Sequence, residues 1–327
     1  MPIRSLGNSS VRYNAVMRRT GSGTRPVVPT IPYIDYDWGG GRGINAGGWP
    51  NNLSEIEYIT IESTGNGTDF GNLSQSRAYL GHLASDSDRG VMCGGWGPST
   101  DEMEYVNIAS TGNGTNFGDS LNTGWGQSGV TSGTRGCWAG IGPGYNSDTI
   151  GYITIASTGN ASDFGDLTQN NVAYAAGVTN GTRGCYAGGS MSPGPNSSVI
   201  DYITIATTGN AQDFGDIDTT SRGRGGTDSK GQRGVFFGGY DQAVDTIQYI
   251  SIPTAANTQD FGELTTARGL VASCSNGTRG VTMGGADNPS TEWVDTIDYV
   301  TMETLGNAVD FGESIYDRQR FQACSGN

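Results

Sequence analysis

Hydrophobic and polar residues along most of this chain follow the pattern of short β-strands. Residues 247–252, IQYISI, alternate apolar with polar positions and are rich in β-branched side chains, which predicts a half-buried strand. Arg233–Gly239, RGVFFGG, is a short apolar run ended by glycines. No window shows the helical period of 3.6 residues, so the sequence predicts an all-β protein.

An Arg-Gly pair, an apolar run with a tyrosine, and a Phe-Gly pair recur in this order six times. Each tyrosine precedes its phenylalanine by 12 residues, whereas successive tyrosines are 47, 47, 50, 47 and 50 residues apart. Most of the length variation lies between the Gly-Gly after the Arg-Gly pair and the tyrosine. The defining residues are Arg42, Tyr58, Phe70; Arg89, Tyr105, Phe117; Arg135, Tyr152, Phe164; Arg183, Tyr202, Phe214; Arg233, Tyr249, Phe261; Arg279, Tyr299, Phe311.

Each repeat contains four strand signals separated by turns. The Ser-Thr-Gly-Asn motif at residues 157–160 is turn chemistry, because Gly and Asn tolerate positive φ. The Asp-Phe-Gly-Asp segment at residues 163–166 begins a further strand, and residues 173–178 supply another before the next Arg-Gly pair. Four short strands in about 47 residues, repeated six times, predict a six-bladed β-propeller over residues 39–327.

The end of the chain predicts how the ring closes. Residues 321–327 match the strand that elsewhere precedes an Arg-Gly pair, but no Arg-Gly pair follows them, whereas the first repeat at Arg42 has no such strand before it. We therefore expect the C-terminal segment to form the innermost strand of the first blade, which would leave no open sheet edge there. Residues 33–38 are the alternative partner for that blade.

Residues 1–38 differ from the rest of the chain and form a predicted extended N-terminal arm. The arm contains two aspartates and has a net charge of +3, so subtracting it from the total of −14 leaves −17 on the propeller. This asymmetry favours contact with an acidic partner surface, and a solvated tail is the alternative. Neither a secretory leader nor an apolar run long enough to cross a membrane is found. The anchoring arginines are Arg4, Arg12, Arg18, Arg19 and Arg25.

The search for catalytic and metal-binding groups predicts neither catalytic residues, a metal site nor a cofactor. The single histidine, His82, lies in a predicted strand, and the five cysteines lack zinc-type spacing and suit small buried apolar positions. The Asp-Phe-Gly motifs recur with the repeat and lack the partners of phosphoryl transfer, so we interpret them as architecture. In five of the six repeats one carboxylate follows the Phe-Gly pair, which is too sparse for calcium. These are Asp119, Asp166, Asp216, Glu263 and Glu313.

The variable loops of the repeat are the predicted binding surface. In a four-stranded blade they emerge on the same face as the connections between blades, and loops on a rigid scaffold are common recognition sites. Their aromatic side chains suit stacking on sugars or a protein interface, and burial between the sheets is the alternative. The net charge of −17 disfavours nucleic acid as a partner. The candidate residues are Trp49, Trp96, Tyr145, Tyr240 and Trp293.

The Gly-Gly followed by a tyrosine resembles the kelch repeat, although a kelch unit carries a tryptophan shortly after the tyrosine, where this chain has phenylalanine 12 residues on. Residues 200–216, IDYITIATTGNAQDFGD, are more similar to a repeat family in virion structural proteins of tailed bacteriophages, especially those that infect marine cyanobacteria. This likeness extends from residue 41 to the C-terminus. It implies a kelch-like propeller in a virion, assembled in the bacterial cytoplasm and present in several copies.

The resemblance implies a non-enzymatic structural protein with other tail or capsid proteins as partners through its arm. We expect a tail-associated fibre, adhesin or adaptor module that binds a host-surface glycan or protein. A capsid decoration protein is the first alternative, and a cellular carbohydrate-binding propeller is the second. An enzyme would need paired acidic residues in one blade that break the repeat.

Overall fold

The computed structural model describes residues 41–97, 100–140, 147–170, 172–191, 194–230, 232–241, 244–288 and 292–326. Within these ranges the chain forms six antiparallel four-stranded sheets and no helix. The sheets are the blades of a six-bladed β-propeller, as predicted, and we number them by their tyrosines, from Tyr58 in blade 1 to Tyr299 in blade 6. In each blade the strands lie in the order inner, second, third and outer, and the inner strands surround a central channel.

The strands of the six blades occupy equivalent segments of the repeat. The inner strands of blades 1 to 6 are Gln322–Gly326, Gly81–Ser85, Ser128–Thr131, Ala176–Thr179, Gly225–Asp228 and Ala272–Ser275. The second strands are Arg42–Ala46, Arg89–Cys93, Arg135–Ala139, Arg183–Ala187, Arg233–Gly239 and Arg279–Met283. The third strands are Glu55–Thr60, Glu102–Asn107, Thr149–Thr154, Val199–Thr204, Val244–Ser251 and Thr296–Thr301. The outer strands are Thr68–Asn72, Thr115–Asp119, Ser162–Asp166, Gln212–Asp216, Gln259–Glu263 and Val309–Glu313.

Two small strand pairs lie outside the blades. They are Val172–Ala173 with Ser190–Met191, and Ala286–Asn288 with Glu292–Trp293. Antiparallel order places the turns from inner to second strand and from third to outer strand on one side of the ring, which we call the constant face. The loops from second to third strand, and from each outer strand to the next inner strand, lie on the opposite side, which we call the variable face.

The C-terminal strand closes the ring, as the sequence predicted. Gln322–Gly326 pairs in antiparallel register with Arg42–Ala46, so that Arg42 lies opposite Gly326 and Ala46 opposite Gln322. The other edge of Arg42–Ala46 pairs with the third strand of blade 1. Both edges are therefore occupied, and the alternative partner, residues 33–38, lies outside the described residues.

The third strands are buried on both faces, which differs from the half-buried strand that alternation predicted. In Val244–Ser251 the apolar Ile247 and Ile250 are buried, but so is the intervening polar residue Gln248. The reason is that each blade is packed between two neighbours, which cover both faces in the middle of its sheet, while the ends of the strand, such as Ser251, stay exposed. A core cluster shows this packing, because Ile56 and Phe70 of blade 1 lie in one cluster with Val106 of blade 2.

Each closing phenylalanine packs between blades, as predicted. All six are buried, and each meets the tyrosine of its own repeat edge-to-face, with ring centroids 6.0 to 6.2 Å apart. The preceding aspartate was predicted to accept a backbone hydrogen bond in a turn, and Asp213 does so from the Gly215 N–H at 3.1 Å.

On the constant face, the Arg-Gly arginines join each blade to the next. The guanidinium of Arg42 lies 4.3 Å from the centroid of the Tyr58 ring, and its Nη1 donates to the Ile108 carbonyl of blade 2 at 2.8 Å. The same pair of contacts occurs in all six blades, with cation–π distances of 4.2 to 4.5 Å. The last contact returns to the beginning, because Arg279 of blade 6 donates to the Ile61 carbonyl of blade 1 at 2.9 Å.

The asparagine turns of the constant face cover the outer strands. The Gly112 N–H of blade 2 donates to the Phe70 carbonyl of blade 1, and the Asn113 side-chain oxygen accepts from the Asn72 N–H. Equivalent asparagine contacts join every blade to the preceding one. The exposed edge of each outer strand therefore gains hydrogen-bond partners, which reduces its tendency to pair with another chain.

Beneath the variable face, three buried ion pairs hold the connections between blades. The pairs are Arg318 with Glu57 in blade 1, Arg77 with Glu104 in blade 2, and Arg268 with Asp298 in blade 6. Burial alone would raise the pKa of Glu57, but Arg318 and Asn45 hold it below its ordinary value.

The other three blades have different residues at the position that Glu57, Glu104 and Asp298 occupy. Blade 3 has Gly151 beneath the Trp138 indole, blade 4 has Asp201 bonded to the Thr168 hydroxyl at 2.6 Å, and blade 5 has Gln248. Burial raises the pKa of Asp201, which lacks an arginine partner among the residues described.

Candidate binding site

The variable face closes over the axis of the propeller through a ring of six backbone hydrogen bonds. Tyr79 N donates to the Arg320 carbonyl at 2.6 Å, Gly126 N to Tyr79, Tyr174 N to Gly126, Gly223 N to Tyr174, Leu270 N to Gly223, and Arg320 N to Leu270. Each ring member comes from the connection between an outer strand and the next inner strand. The ring has no free donor or acceptor of its own.

All six ring residues adopt the left-handed backbone conformation, with φ between 56° and 75°. Glycine adopts it readily, but Tyr79, Tyr174, Leu270 and Arg320 do so at a cost of about 1 kcal/mol or more each. The closed hydrogen-bond ring enforces this conformation. The ring also places four large side chains around the axis of the variable face. Glycine would have given the same backbone without strain.

Four aromatic rings from this region form one cluster, which we call the axial aromatic cluster and define as Tyr79, Trp96, Trp125 and Tyr174. Trp125 lies at its centre, 5.1 Å from Tyr79, 5.6 Å from Tyr174 and 5.9 Å from Trp96 between ring centroids. The contacts with Tyr79 and Trp96 are edge-to-face, the arrangement that the ring quadrupoles favour.

The axial aromatic cluster is accessible to a ligand. Trp96 is 46% exposed, and Tyr79, Trp125 and Tyr174 are half-buried. Gly126 makes room for the cluster, because a Cβ there would lie 3.1 Å from the ring of Tyr174. Four contiguous aromatic rings partly in contact with water form an apolar patch of the kind that marks interaction sites, whereas a single exposed side chain such as Leu305 needs no such explanation.

Charged and amide groups border the cluster. The Arg320 guanidinium lies 4.4 Å from the centroid of the Tyr79 ring and 6.0 Å from that of Tyr240, and it donates to the Tyr79 hydroxyl. Arg222 lies 5.3 Å from the Tyr240 ring and pairs with Asp241 at 3.2 Å. Partial burial lowers the pKa of Arg320, although an arginine with this shift stays charged near neutral pH.

The residues predicted from the variable loops lie in different places. Trp96 is part of the axial aromatic cluster, and Tyr240 lies at its charged border. Trp49 is half-buried, and its backbone pairs with Gln319. Trp293 is 37% exposed in the small strand pair of blade 6, and no ring contact is found for it within the described ranges. Tyr145 and the anchoring arginines lie outside the described residues.

The sequence analysis missed Tyr79, Trp125, Tyr174 and Arg320. All four lie in the connections between blades, for which no binding role was predicted, and Tyr174 was assigned to a strand over residues 173–178. A signal was present, since Tyr79, Gly126, Gly223, Leu270 and Arg320 each come nine residues after the closing phenylalanine, and Tyr174 comes ten after. A position that alternates between glycine and large side chains is typical of a left-handed backbone conformation that has acquired a second role.

Other candidate groups do not assemble into a centre. The carboxylates that follow the Phe-Gly pairs end the outer strands of separate blades, and no group of three potential metal ligands occurs among the described residues. His82 lies in the inner strand of blade 2. The five cysteines are free and buried, and burial raises the pKa of Cys93, Cys137, Cys185 and Cys274 to about 12.

Neither models of known protein families nor curated protein sequences match this chain. Across the part of the chain that the structure describes, no helix has the length and apolar character to cross a membrane.

Proposed function

We propose that this chain is a non-enzymatic structural protein of a tailed-phage virion, a tail-associated adhesin module whose axial aromatic cluster binds a saccharide on the host surface. The observation that carries the binding role is the half-exposed group of Tyr79, Trp96, Trp125 and Tyr174 on the axis of the variable face. The assignment to a virion rests on the resemblance of the repeats.

A saccharide suits this cluster for two reasons. The apolar C–H faces of a pyranose ring stack on aromatic rings, and the contiguous rings of Trp96 and Trp125 offer an area that extends beyond one sugar. Sugar hydroxyls need planar polar partners, and the Asp241 carboxylate and Asn196 amide lie bonded to each other at 2.6 Å beside Tyr240 and Arg222. A few oriented polar groups around aromatic area are typical of small-ligand sites.

The different structural roles of the two faces support a function in attachment. Backbone and arginine contacts of the constant face are used to join blades, which gives a rigid scaffold for loops on the other face. The arm carries +3 and the propeller −17, so the arm suits an acidic neighbour in a particle. Many copies on one particle would strengthen weak individual saccharide contacts by avidity.

Binding to immobilised oligosaccharides tests the adhesin role. We expect Trp96→Ala and Trp125→Ala to weaken binding by about 10- to 100-fold, because each removes stacking area worth about 1–3 kcal/mol. Trp293→Ala is the matched control, since it removes another exposed tryptophan of the same face that lies outside the cluster. Equal losses in all three variants would favour recognition by the loops in general, and no binding by the wild type to any host saccharide would contradict the proposal.

Location on purified particles tests the virion assignment separately. An epitope inserted beside Pro195, which is exposed in the variable loop of blade 4, should be found on the tail. The same tagged chain without residues 1–32 should be absent from particles if the arm is the anchor. Label on the head would support the capsid decoration protein instead, and label on no particle would favour the cellular carbohydrate-binding propeller.

A further inference from the structure

The inner strands carry one residue that breaks the sixfold pattern. At the constant-face end of the channel, five blades place a hydroxyl side chain, at Ser85, Thr131, Thr179, Ser275 and Ser325, whereas blade 5 places the carboxylate of Asp228. All six residues line a cavity in the channel of about 60 Å³, which has room for a few water molecules. We call them the channel ring.

The hydroxyl groups of the channel ring present acceptors. Thr131 Oγ1 donates to the Ser85 carbonyl at 2.9 Å and Thr179 Oγ1 to the Thr131 carbonyl at 3.0 Å. Ser275 Oγ donates to the Asp228 carbonyl at 2.7 Å, and Ser325 Oγ donates to the Ser275 carbonyl. Four of the five hydroxyl protons are therefore used between neighbouring blades. The Thr131, Thr179 and Ser275 oxygens each also accept a backbone N–H group, which leaves one lone pair on each of these oxygens for a ligand.

Asp228 lacks a compensating charge. Asp228 is only 8% exposed, and its carboxylate accepts one hydrogen bond from the Thr179 N–H at 3.3 Å. It joins no ion pair among the described residues. Asp228 acts on the Cys185 thiol, and the Cys274 and Cys324 thiols line the same cavity; burial raises the pKa of all three, which keeps them protonated. Asp86, which follows Ser85, raises the pKa of Cys324 further, and its carboxylate accepts the Asp88 and Arg89 N–H groups of its own turn. The Lys230 side chain runs along Gly277. A buried carboxylate without a partner is costly, so it must bind a proton or a cation.

We propose that the channel ring binds a monovalent cation, with Asp228 as its counter-charge and the hydroxyl oxygens of the neighbouring blades as neutral ligands. A single carboxylate neutralises Na⁺, K⁺ or NH₄⁺, whereas a divalent ion would leave a net charge buried in the channel. Calcium also requires six to eight oxygens, usually with several carboxylates. This site is independent of the axial aromatic cluster, because it lies at the other end of the channel.

A proton competes with the cation for the same carboxylate. Burial raises the pKa of Asp228, and the hydrogen bond from the Thr179 N–H offsets part of this rise. The resulting pKa is about 8. Below that pH the carboxyl group of the empty site is mainly protonated and neutral, and above it the carboxylate requires a cation. Binding of the cation should therefore strengthen as the pH rises from 6 to 8.5.

Thermal unfolding in matched chloride salts tests the proposal. At pH 8.5 and about 0.15 M ionic strength, we expect the wild type to melt about 2–4 °C higher in NaCl, KCl or NH₄Cl than in choline chloride, whose bulky cation cannot be held by the ring. The difference should shrink at pH 6. Asp228→Ser restores the hydroxyl of the other blades, so it should fold and show no difference between the salts, and Asp228→Asn provides a second neutral variant of nearly equal size.

Three results would overturn the proposal. The first is a wild-type melting temperature that is the same in all four salts, in which case Asp228 holds only a proton. The second is a difference between salts that persists in Asp228→Ser, which would place the cation elsewhere. The third is a larger rise in CaCl₂ at the same ionic strength, which would make the ligand divalent.

Discussion

Both faces of the propeller join neighbouring segments with arginine, but they use it in opposite ways. On the constant face, each Arg-Gly arginine stacks on a half-buried tyrosine and bonds to a carbonyl of the next blade, and the six copies differ by only 0.3 Å in their stacking distance, from 4.2 to 4.5 Å. Beneath the variable face, arginines are fully buried in ion pairs, and among the residues that the structure describes these pairs occur in blades 1, 2 and 6 alone.

This difference shows where the repeat is constrained by architecture. The arginine contact between blades recurs at all six junctions of the ring. A contact within one blade's connection can be replaced locally, as Trp138 with Gly151 and Thr168 with Asp201 show. The freedom to replace such contacts is also what allows Tyr79, Tyr174 and Arg320 to occupy positions where other blades have glycine.

Breaking one buried ion pair should have the largest effect. Arg318→Ala leaves Glu57 buried without its partner, so the free energy of unfolding should fall by about 3–5 kcal/mol in urea or guanidinium titration. The matched control is the double variant Arg318→Met with Glu57→Leu, which removes both charges and should recover much of the loss. A loss below about 1 kcal/mol in the single variant would mean that the pair does not hold blade 1 to blade 6.

Breaking one constant-face contact should have a smaller effect that is the same at every blade. Arg135→Ala removes a cation–π contact with Tyr152 and a hydrogen bond to the Ile205 carbonyl, together worth about 1–2 kcal/mol. Arg135→Lys keeps the charge but not the planar guanidinium, so it should lie between the alanine variant and the wild type. Arg233→Ala should match Arg135→Ala within about 0.5 kcal/mol, and a larger spread would contradict the equivalence of the blades.

Removing an exposed ring from the variable face should have the smallest effect on stability. Trp96 is 46% exposed, so Trp96→Ala should change the free energy of unfolding by about 0.5 kcal/mol or less while weakening saccharide binding. Trp138→Ala is the comparison, because that indole is buried in blade 3 and its loss should cost about 3–5 kcal/mol. A large destabilisation by Trp96→Ala would show that the axial aromatic cluster is part of the core.

The architecture could be predicted from the sequence because the same strand pattern recurs in every repeat. Strand number, blade number and closure by the C-terminal strand follow from marks that recur at fixed spacing, and the structure confirms each of them. Burial was predicted less well. The position before each tyrosine reads as a solvent-facing polar residue in an alternating strand, yet Glu57, Glu104 and Asp298 are buried. An alternating pattern assumes that one face of a sheet meets water, whereas neighbouring blades cover both faces in the middle of each blade.

The proposed binding residues were harder to predict because they depart from the repeat. Searching the loops for aromatic residues found Trp96 and Tyr240 but not Tyr79, Trp125 or Tyr174, whose proximity depends on the ring of backbone hydrogen bonds across the axis. Asp228 was missed for a related reason. It occupies a position that is a hydroxyl residue in the other blades, and this became evident only when the inner strands were aligned by their pairing.

The pairing of Gln322–Gly326 with Arg42–Ala46 also means that the sequence repeat and the blade are not the same unit. Each repeat builds the second, third and outer strands of one blade and supplies the inner strand of the next, so blades 2 to 6 are each built from two successive repeats and blade 1 from the first and the last. Removing one blade would therefore cut two repeats, so no single blade can detach as an independent unit.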